Sequence, residues 1–439
     1  MEDRPPQKPL RQGRTPLATR DGTPERAVLT GVHGAGGARG EMNRDPEMEE
    51  LGRLAESAGA EVVGSLVQHR GRPTPATFLG KGKVEELRAL CDEVSADLAI
   101  ADHELTPVQQ RNLERGLDRK VIDRTALVLD IFARRAQTHE GRLQVELAQM
   151  TYLLPRLTGR GTMLSRLGGG IGTRGPGETK LEVDRRRIRK RITDLKGEIG
   201  EIRKHRALQR KARREAQFPT VALVGYTNSG KSTLLNALTN AGVFVEDKLF
   251  ATLDPTVRKV DLPNGRPVLL IDTVGFITRL PTQLVAAFRA TLEEVTEADL
   301  LVHIVDAAHP DWRAQMRSVE RVLRDLGAAD KPMIIALNKT DRLAPADVRV
   351  RVTEVGQGVA LSALHGVGLI NLLRTIGQRL PVGLVRVRLT VPYARAGALS
   401  RIFAQGRVLK QDYRPDGIRV VAELPRVQAD QLKSLIRGL

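Results

Sequence analysis

The chain has 439 residues, of which 41% are hydrophobic, so it is long enough for two to four domains with apolar cores. Its single cysteine, Cys91, excludes an internal disulfide framework and is typical of a reducing compartment. No stretch approaches the roughly 18 apolar residues of a spanning helix, so we expect a cytoplasmic protein without a membrane anchor. We also expect a monomer. The net charge of +18 predicts a polyanionic partner.

Residues 1–50 are rich in Pro, Gly, Arg and charge with little periodicity, which predicts a disordered basic tail. Residues 51–142 are predicted to form a small α/β domain. Its apolar runs and helical patterns alternate as strand, helix, strand and helix, at residues 61–67, 84–94, 98–101 and 107–116. The Gly-Lys-Gly-Lys turn at 80–83 precedes a helix and could hold a phosphate, although an ordinary basic surface turn is an equal alternative.

Residues 143–217 are predicted to form an antiparallel helical hairpin, because two segments carry apolar residues at three- and four-residue steps. These apolar positions are Val145, Leu147, Met150, Leu153, Leu154 and Leu157 in the first segment, and Leu181, Ile188, Ile192, Leu195, Ile199 and Ile202 in the second. Between residues 181 and 217 there are 14 Lys and Arg against 6 Asp and Glu. This asymmetry favours a nucleic-acid partner over an ordinary solvated face.

The hairpin tip at residues 168–180 is rich in glycine and contains a formal G-x-G-x-x-G pattern at Gly170, Gly172 and Gly175. A dinucleotide site is excluded, since no apolar strand leads into the pattern and Pro176 interrupts the expected helix start. A tip with few side chains could instead enter a narrow RNA cavity. A plain linker is the alternative.

Residues 218–382 are predicted to form a nucleotide-binding α/β domain, because a strand at 220–224 leads into a glycine-rich loop and then a helix at 232–237. The loop residues expected to contact a nucleoside triphosphate are Gly225, Tyr226, Thr227, Asn228, Ser229, Gly230, Lys231 and Ser232. The glycines let backbone N–H groups face the phosphates at a helix N-terminus. Lys231 is expected to neutralise the β- and γ-phosphates, and Ser232 to ligate Mg²⁺.

The base is predicted to be guanine. The motif Asn338, Lys339, Thr340 and Asp341 follows an apolar run, and its carboxylate can accept from both N1–H and the exocyclic amino group of guanine. Asn338 is expected to read the other edge of the base, and Lys339 to cover the ring. Ser362, Ala363 and Leu364 would offer backbone N–H groups to the guanine O6 atom.

Two more segments complete the predicted order of motifs. Asp272, Thr273, Val274 and Gly275 end a buried strand, which suits Asp272 to the Mg²⁺ water shell and the Gly275 N–H to the γ-phosphate. The first switch segment supplies Phe250, Ala251, Thr252, Leu253 and Asp254. Thr252 is the preferred second magnesium ligand beside Ser232, with Thr256 as the competitor.

Lys231, Thr252 and Gly275 are therefore the predicted catalytic residues. Phe276 follows Gly275 at the position where many such enzymes have a glutamine that orients the attacking water. A phenyl ring cannot orient water, so intrinsic hydrolysis is expected to be slow and a partner, or another part of the chain, is expected to complete the site. The alternative is that Phe276 only packs behind the second switch.

Residues 383–439 are predicted to form a small α+β domain. The alternating segment 385–391 and the segment 418–424 are typical of strands, and residues 397–405 are typical of a helix. The pattern does not indicate what this domain does.

The sequence resembles the HflX family over roughly residues 51–380. The glycine-rich block 168–182, the segment Phe-Leu-Gly-Lys-Gly-Lys-Val-Glu-Glu-Leu at 78–87, residues 112–125 and the GTPase motifs carry the resemblance, and the glycine-rich block is its specific part. The resemblance implies an α/β P-loop GTPase domain with a mixed, mostly parallel sheet, preceded by a small α/β domain and a helical hairpin.

The same resemblance implies GTP and Mg²⁺ at the matched positions, binding to the large ribosomal subunit and its RNA, and splitting of stalled ribosomes under stress. An ATP-linked activity has been proposed for the family's N-terminal domain, but nothing beyond the Lys81 and Lys83 turn supports it here. Two other functions stay open: a GTP-regulated RNA-binding or remodelling protein, and a signalling GTPase without an RNA partner.

Overall fold

Three sheets organise the part of the chain that the computed structural model describes, which is residues 24–34, 45–157, 180–215, 218–239, 249–250, 255–279, 289–356, 358–380, 384–395, 397–405 and 407–437. The glycine-rich residues 168–179 and the switch residues Ala251, Thr252, Leu253 and Asp254 lie outside this description. Within it, no helix is long and apolar enough to cross a membrane. A mostly parallel central sheet, with the expected smaller units before and after it, confirms the predicted fold class.

The N-terminal unit is a four-stranded parallel sheet with helices against it. Its elements are β1 (Arg26–His33), α1 (Pro46–Ser57), β2 (Glu61–His69), α2 (Lys81–Glu93), β3 (Leu98–Ala101), α3 (Pro107–Leu117), β4 (Lys120–Asp123) and α4 (Arg124–Arg135). The strand order is β2-β1-β3-β4. Helix starts follow their capping residues: Thr106 and Gln109 form a capping box on α3, and Asp123 caps α4. Cys91 on α2 is fully buried in this unit.

The prediction that residues 1–50 carry no fold was wrong for two segments. Strand β1 lies inside the sheet, paired on both sides, and helix α1 begins at Pro46 with Asp45 as its cap. Positions 27–32 are all buried, because a strand covered by helices on both faces reads as a short apolar run without alternation. That run is only six residues long and lies between Pro-, Gly- and Arg-rich flanks, so the average composition of residues 1–50 did not indicate a strand.

The predicted hairpin consists of α5 (His139–Arg156) and α6 (Lys180–Glu215). The two helices meet through Leu143, Leu195 and Ile199, and the Arg191 guanidinium donates two 2.7 Å hydrogen bonds to Glu146. The expected seam was partly wrong. Val145 faces the N-terminal core with Ala148 and Tyr152, and Leu153 is 43% exposed, so α5 serves two interfaces at once.

The central unit places its phosphate loop in the middle of a six-stranded sheet of order β10-β9-β8-β5-β7-β6, in which only β6 is antiparallel. Its elements are β5 (Thr220–Gly225), α7 (Lys231–Thr239), β6 (Thr256–Asp261), β7 (Pro267–Asp272), α8 (Arg289–Glu297), β8 (Leu300–Asp306), α9 (Trp312–Asp325), β9 (Met333–Asn338), α10 (Pro345–Glu354), β10 (Val359–Ala360) and α11 (Leu369–Arg379). The carboxyl ends of the parallel strands meet at one edge, where ligands bind in open α/β sheets.

The C-terminal unit has its own hydrophobic core between a three-stranded antiparallel sheet and two helices. Its elements are β11 (Leu384–Val391), α12 (Gly397–Gln405), β12 (Arg407–Arg414), β13 (Gly417–Pro425) and α13 (Arg426–Arg437). The sheet order is β11-β13-β12. Two elements, β12 and α13, were not predicted from the sequence.

Candidate functional site

The loop between β5 and α7 can be made only with glycine at two positions. A Cβ atom at Gly225 would lie 2.3 Å from the carbonyl oxygen of Ile304 on the neighbouring strand β8. Gly230 has φ +94°, and a Cβ there would lie 2.2 Å from Nδ2 of Asn338. Both contacts are far inside van der Waals distance, so the loop is pressed against β8 and β9.

Lys231 is the first residue of α7, and its ammonium group lies inside this loop. Nζ donates to the carbonyl oxygens of Gly225 and Tyr226, at 3.2 and 2.8 Å. Burial lowers the pKa of Lys231 to about 8, with the nearby Asp272 acting in the opposite direction. The hydroxyl oxygens of Thr227 and Ser229 are also buried, and neither has a hydrogen-bond partner among the described residues. The loop therefore holds a cation and unsatisfied polar atoms, as a polyanion site requires.

Ser232 and Asp272 bring two hard oxygen groups together beside the loop. Ser232 Oγ donates a 2.6 Å hydrogen bond to Oδ2 of Asp272, which is fully buried at the end of β7. Oxygen donors of this kind suit Mg²⁺, so the residues present fit the ion. The preferred ligand Thr252 lies outside the described residues, whereas the competitor Thr256 begins β6 directly opposite Asp272.

Gly275 approaches the loop more closely than any other residue type could. A Cβ atom there would lie 2.8 Å from Cα of Thr227 and 3.1 Å from Nζ of Lys231. The preceding Thr273 hydroxyl donates to the carbonyl oxygen of Leu223 on β5, at 2.7 Å, and so holds this segment to the sheet. The predicted residues Asp272 to Gly275 are thus beside the phosphate loop.

Phe276 is joined to the loop by its backbone and to the core by its ring. Its N–H donates to the carbonyl oxygen of Gly225 at 3.1 Å, and its carbonyl oxygen accepts from the N–H of Thr227 at 2.8 Å. The ring is 1% exposed in the main core. Of the two interpretations of Phe276, packing behind the second switch describes its position. The phenyl ring offers no polar group to a water molecule.

Asn338 ties the loop to the base side of the site. Its Nδ2 donates to the carbonyl oxygen of Ser229 at 2.8 Å, and its Oδ1 accepts from the N–H of Ala363 at 2.9 Å. A carboxamide oxygen can accept two hydrogen bonds and its nitrogen can donate two, so each atom can form one more hydrogen bond with a base. Lys339, which has φ +61°, forms a 2.8 Å ion pair with Asp306.

Asp341 and the segment of Ser362, Ala363 and Leu364 meet at the end of β9 and β10. The Ser362 hydroxyl donates to Oδ1 of Asp341 at 2.5 Å, and this hydrogen bond lowers the pKa of the carboxyl group. Thr340 Oγ1 donates to the carbonyl oxygen of Leu361 at 2.9 Å. The ends of β9 and β10 therefore carry an ionised carboxylate, one oxygen of which is held by the Ser362 hydroxyl.

Two predicted site residues turn their side chains away from the loop. The ring of Phe250 is buried edge-on against Phe132 of α4, with 4.7 Å between centroids. The hydroxyl of Tyr226 bonds to Glu50 of α1 and to Thr278, which lies 2.7 Å away at both its N–H and its Oγ1. Only the backbones of Phe250 and Tyr226 remain for a nucleotide.

A buried polar cluster, which the sequence did not indicate, joins the N-terminal unit to the segment after Gly275. Arg124 is 3% exposed, and its guanidinium donates to Glu50, to Asp102 at 2.8 Å and to the carbonyl oxygen of Thr278 at 2.9 Å. Arg279 adds bonds to Asp102 at 3.2 Å and to Glu47 at 2.8 Å. No sequence signal could have found it, because its members are up to 232 residues apart.

Comparisons with known proteins agree with this geometry. Three protein-family models match: "GTP-binding GTPase N-terminal" at residues 45–133, "GTP-binding GTPase Middle Region" at 135–213 and "50S ribosome-binding GTPase" at 220–339. The chain is 48% identical to GTPase HflX of Caldanaerobacter subterraneus over 412 residues, 94% of each chain. It is 42% identical to GTPase HflX of Escherichia coli, covering 90% of this chain and 92% of that one.

The chain belongs to the HflX family of GTPases. The suspected family is confirmed, and with it the activity: the protein hydrolyses GTP in its central GTPase domain. A crystal structure of a GTP-binding protein from Sulfolobus solfataricus in complex with GDP is also similar, with 25% identity, 81% of this chain and 98% of that chain covered, and a TM-score of 0.41.

The Lys231 pKa predicts proton uptake on GTP binding. At pH 8 about half of the Lys231 side chains are neutral in the nucleotide-free protein, and phosphate oxygens beside Nζ would restore the charge, so binding takes up about 0.5 proton. Affinity for GTP therefore falls as pH rises above about 8. Calorimetry at pH 8 in buffers of different ionisation enthalpy measures the uptake. The control Lys231→Arg stays charged and should take up none; equal uptake by both proteins would contradict the prediction.

Arg124→Met is expected to destabilise the protein by about 3–5 kcal/mol, because it removes the buried cation that Asp102 and Glu50 share. Hydrogen exchange of residues 274–279 should accelerate, since Thr278 loses its tie to α4. The matched control is Lys83→Met, which removes an exposed ion pair with Glu86 and should cost at most about 1 kcal/mol. Thermal unfolding with exchange mass spectrometry measures both. If Arg124→Met unfolded and exchanged like the control, a stabilising role of the contact between Arg124 and Thr278 would be ruled out.

Proposed function

We propose that this GTPase binds the large ribosomal subunit through its basic hairpin and splits stalled ribosomes in the cytoplasm. The observation that carries the proposal is the charge of α6. The basic residues exposed on its described surface are Arg186, Arg187, Arg189, Lys190, Lys196 and Lys204. A 36-residue helix is about 54 Å long and can carry this charge well away from the GTPase domain. Phosphates of ribosomal RNA would attract it.

The anchoring of the hairpin supports a mechanical role. The α5 helix packs simultaneously on the N-terminal core, through Tyr152 and Ala148, and on α6, through Leu143. The N-terminal unit in turn contacts the GTPase segments at Phe250 and Thr278. A force on α6 therefore reaches the nucleotide site through contiguous packed groups.

The nucleotide would be held by the residues already assembled at the strand ends. Backbone N–H groups of residues 225–232 and the Lys231 ammonium would bind the phosphates, and Asp341 with the 362–364 backbone would bind guanine. Ser232 would ligate Mg²⁺, Asp272 would accept from its water shell, and Thr252 would be the second protein ligand. The ion would neutralise developing negative charge on the phosphates.

Ribosome-dependent hydrolysis follows from Phe276. The buried ring leaves no side chain in place to orient water, so hydrolysis by the free protein should be slow. Ordering of the switch segments around Thr252 and Gly275 by the ribosome would accelerate it, by a factor that could approach ~10³. GTP binding would then drive splitting, and hydrolysis would allow release.

Asp341→Asn is expected to weaken GTP binding by up to about 10⁴-fold and to favour xanthosine triphosphate, whose base offers the exchanged hydrogen-bond pattern. Titration with fluorescent nucleotides measures both affinities. Asp347→Asn, on the exposed start of α10, makes the same chemical change and should alter neither. Unchanged GTP affinity in Asp341→Asn would remove this carboxylate from the base site.

Sedimentation of ribosomes with GTP, GDP or a non-hydrolysable analogue tests the proposed function. Salt-sensitive pelleting and separation of subunits with GTP are expected, whereas the analogue should support one round without turnover. Binding without separation would favour a GTP-regulated RNA-binding protein, and no pelleting would favour a signalling GTPase.

A hairpin variant sharpens the same experiment. Replacing Arg189, Lys190 and Lys196 by Gln should reduce the slope of log affinity against log salt by about 2 to 3. The matched control replaces Arg321, Arg324 and Arg374, three exposed arginines of α9 and α11. Equal effects of the two variants would mean that total charge, and not the hairpin, governs ribosome binding.

A further inference from the structure

The C-terminal sheet has one face that helices cover and one face that nothing in the described chain covers. Strands β11 and β13 alternate regularly, and the register of β12 shifts once, between Val408 and Lys410. The covered face holds the apolar residues Val387, Leu389, Val391, Val420, Ala422 and Leu424, which share a core with α12 and α13. The residues between them face the other way, because successive side chains of a strand point to opposite sides.

The strand register arranges the open face as three rows of three residues. Residues directly opposite each other in paired strands lie on the same face, so each β13 residue joins one from β11 and one from β12. The rows are Arg386, Glu423 and Arg407; then Arg388, Val421 and Lys410; then Thr390, Arg419 and Asp412. Five of these nine residues are cationic and two are acidic.

Two cations of the grid are paired within it, and three are not. Arg386 lies 3.2 Å from Glu423, and Lys410 lies 3.7 Å from Asp412. Within the described part of the chain, no carboxylate oxygen lies within 4.0 Å of Arg388, Arg407 or Arg419. The domain as a whole, residues 384–437, has 11 Lys and Arg against 4 Asp and Glu. Uncompensated positive charge is thus concentrated on a flat, uncovered surface.

We infer that this open face, the Arg388–Arg407–Arg419 surface, binds an unpaired segment of RNA. Four of its five cations are arginines, whose planar guanidinium groups bind phosphates in a bidentate manner and stack on bases. Tyr413, although 73% exposed, is paired with Ile418 and therefore lies on the helix-covered side of the sheet. The guanidinium planes on the open face offer stacking surfaces to bases that a duplex would not make available.

An acidic protein is the less suitable occupant. The centres of protein interfaces are depleted of charge and rich in apolar side chains, yet Val421 is the single apolar residue of the grid. The area fits a short strand, since three rows cover roughly 13 Å along the sheet and roughly 10 Å across it. The inference rests on the proposed ribosome association only for the source of the RNA.

Binding of a fluorescein-labelled ten-nucleotide RNA to the full-length protein tests this surface without ribosomes. The sheet variant Arg388→Gln, Arg407→Gln and Arg419→Gln should bind at least tenfold more weakly at low salt. Its slope of log affinity against log salt should fall by about 2, at roughly 0.7 for each lost phosphate contact to a single strand. The control with Arg321, Arg324 and Arg374 replaced by Gln carries the same charge change and should bind like the wild type.

Two further variants keep the outcome unambiguous. The combined variant Arg388→Lys, Arg407→Lys and Arg419→Lys retains the charge and should recover most of the affinity, whereas an unfolded domain would not. Tyr413→Leu changes an exposed ring on the other face of the sheet and should leave the affinity and the salt slope unchanged.

The inference would be overturned if the sheet variant bound the oligonucleotide like the control. If that variant also lost affinity for large subunits, the occupant would be an acidic ribosomal protein instead. The hairpin variant, measured in parallel with large subunits, distinguishes failure of this inference from failure of the proposed function. If the hairpin variant loses splitting but still binds the oligonucleotide, the inference about the sheet surface is unaffected.

Discussion

The guanidinium of Arg124 is a buried charge whose partners come from three parts of the chain. Asp102 follows β3, Glu50 lies on α1, and the carbonyl oxygen belongs to Thr278 of the GTPase domain. Burial acts to raise the pKa of Asp102, but the His33 ring, whose Nε2 lies 3.8 Å from Oδ2, and the Arg124 charge outweigh it and lower the pKa. A charge held in this way is stable only while every partner stays in place. The relative position of the two domains is therefore fixed by chemistry, and not only by apolar packing.

The same interface touches both segments that respond to nucleotide in GTPases. At the start of the first switch, the N–H of Leu249 donates to the Ser57 hydroxyl, and Phe250 packs on Phe132. After Gly275, Thr278 and Arg279 bond to residues of the N-terminal domain. A change at either switch must alter this interface or be resisted by it. The N-terminal domain is thus in direct contact with both of these segments.

Sequence reasoning was strongest where the backbone itself is constrained. The Gly225 and Gly230 loop, the strand before it and the motif at Asp341 could be predicted because each depends on neighbouring residues and on a fixed local geometry. The central strand β1 was missed, since its six buried residues, four of them hydrophobic, lie within a charged, Pro-rich stretch and carry little statistical weight. The side-chain directions of Tyr226 and Phe250 could not be predicted either, because their partners at Glu50 and Phe132 are more than a hundred residues away.

Cys91 gives the protein a practical property. The chain has this one thiol, it is fully buried in the N-terminal core, and burial raises its pKa, so little reactive thiolate exists near neutral pH. A cysteine introduced on the surface would therefore be the only site that a maleimide reaches in the folded protein. Fluorophores could be attached at chosen pairs of positions, one on the hairpin and one on the GTPase domain, without first removing any native residue. The distance between the hairpin and the GTPase domain could then be followed in single molecules.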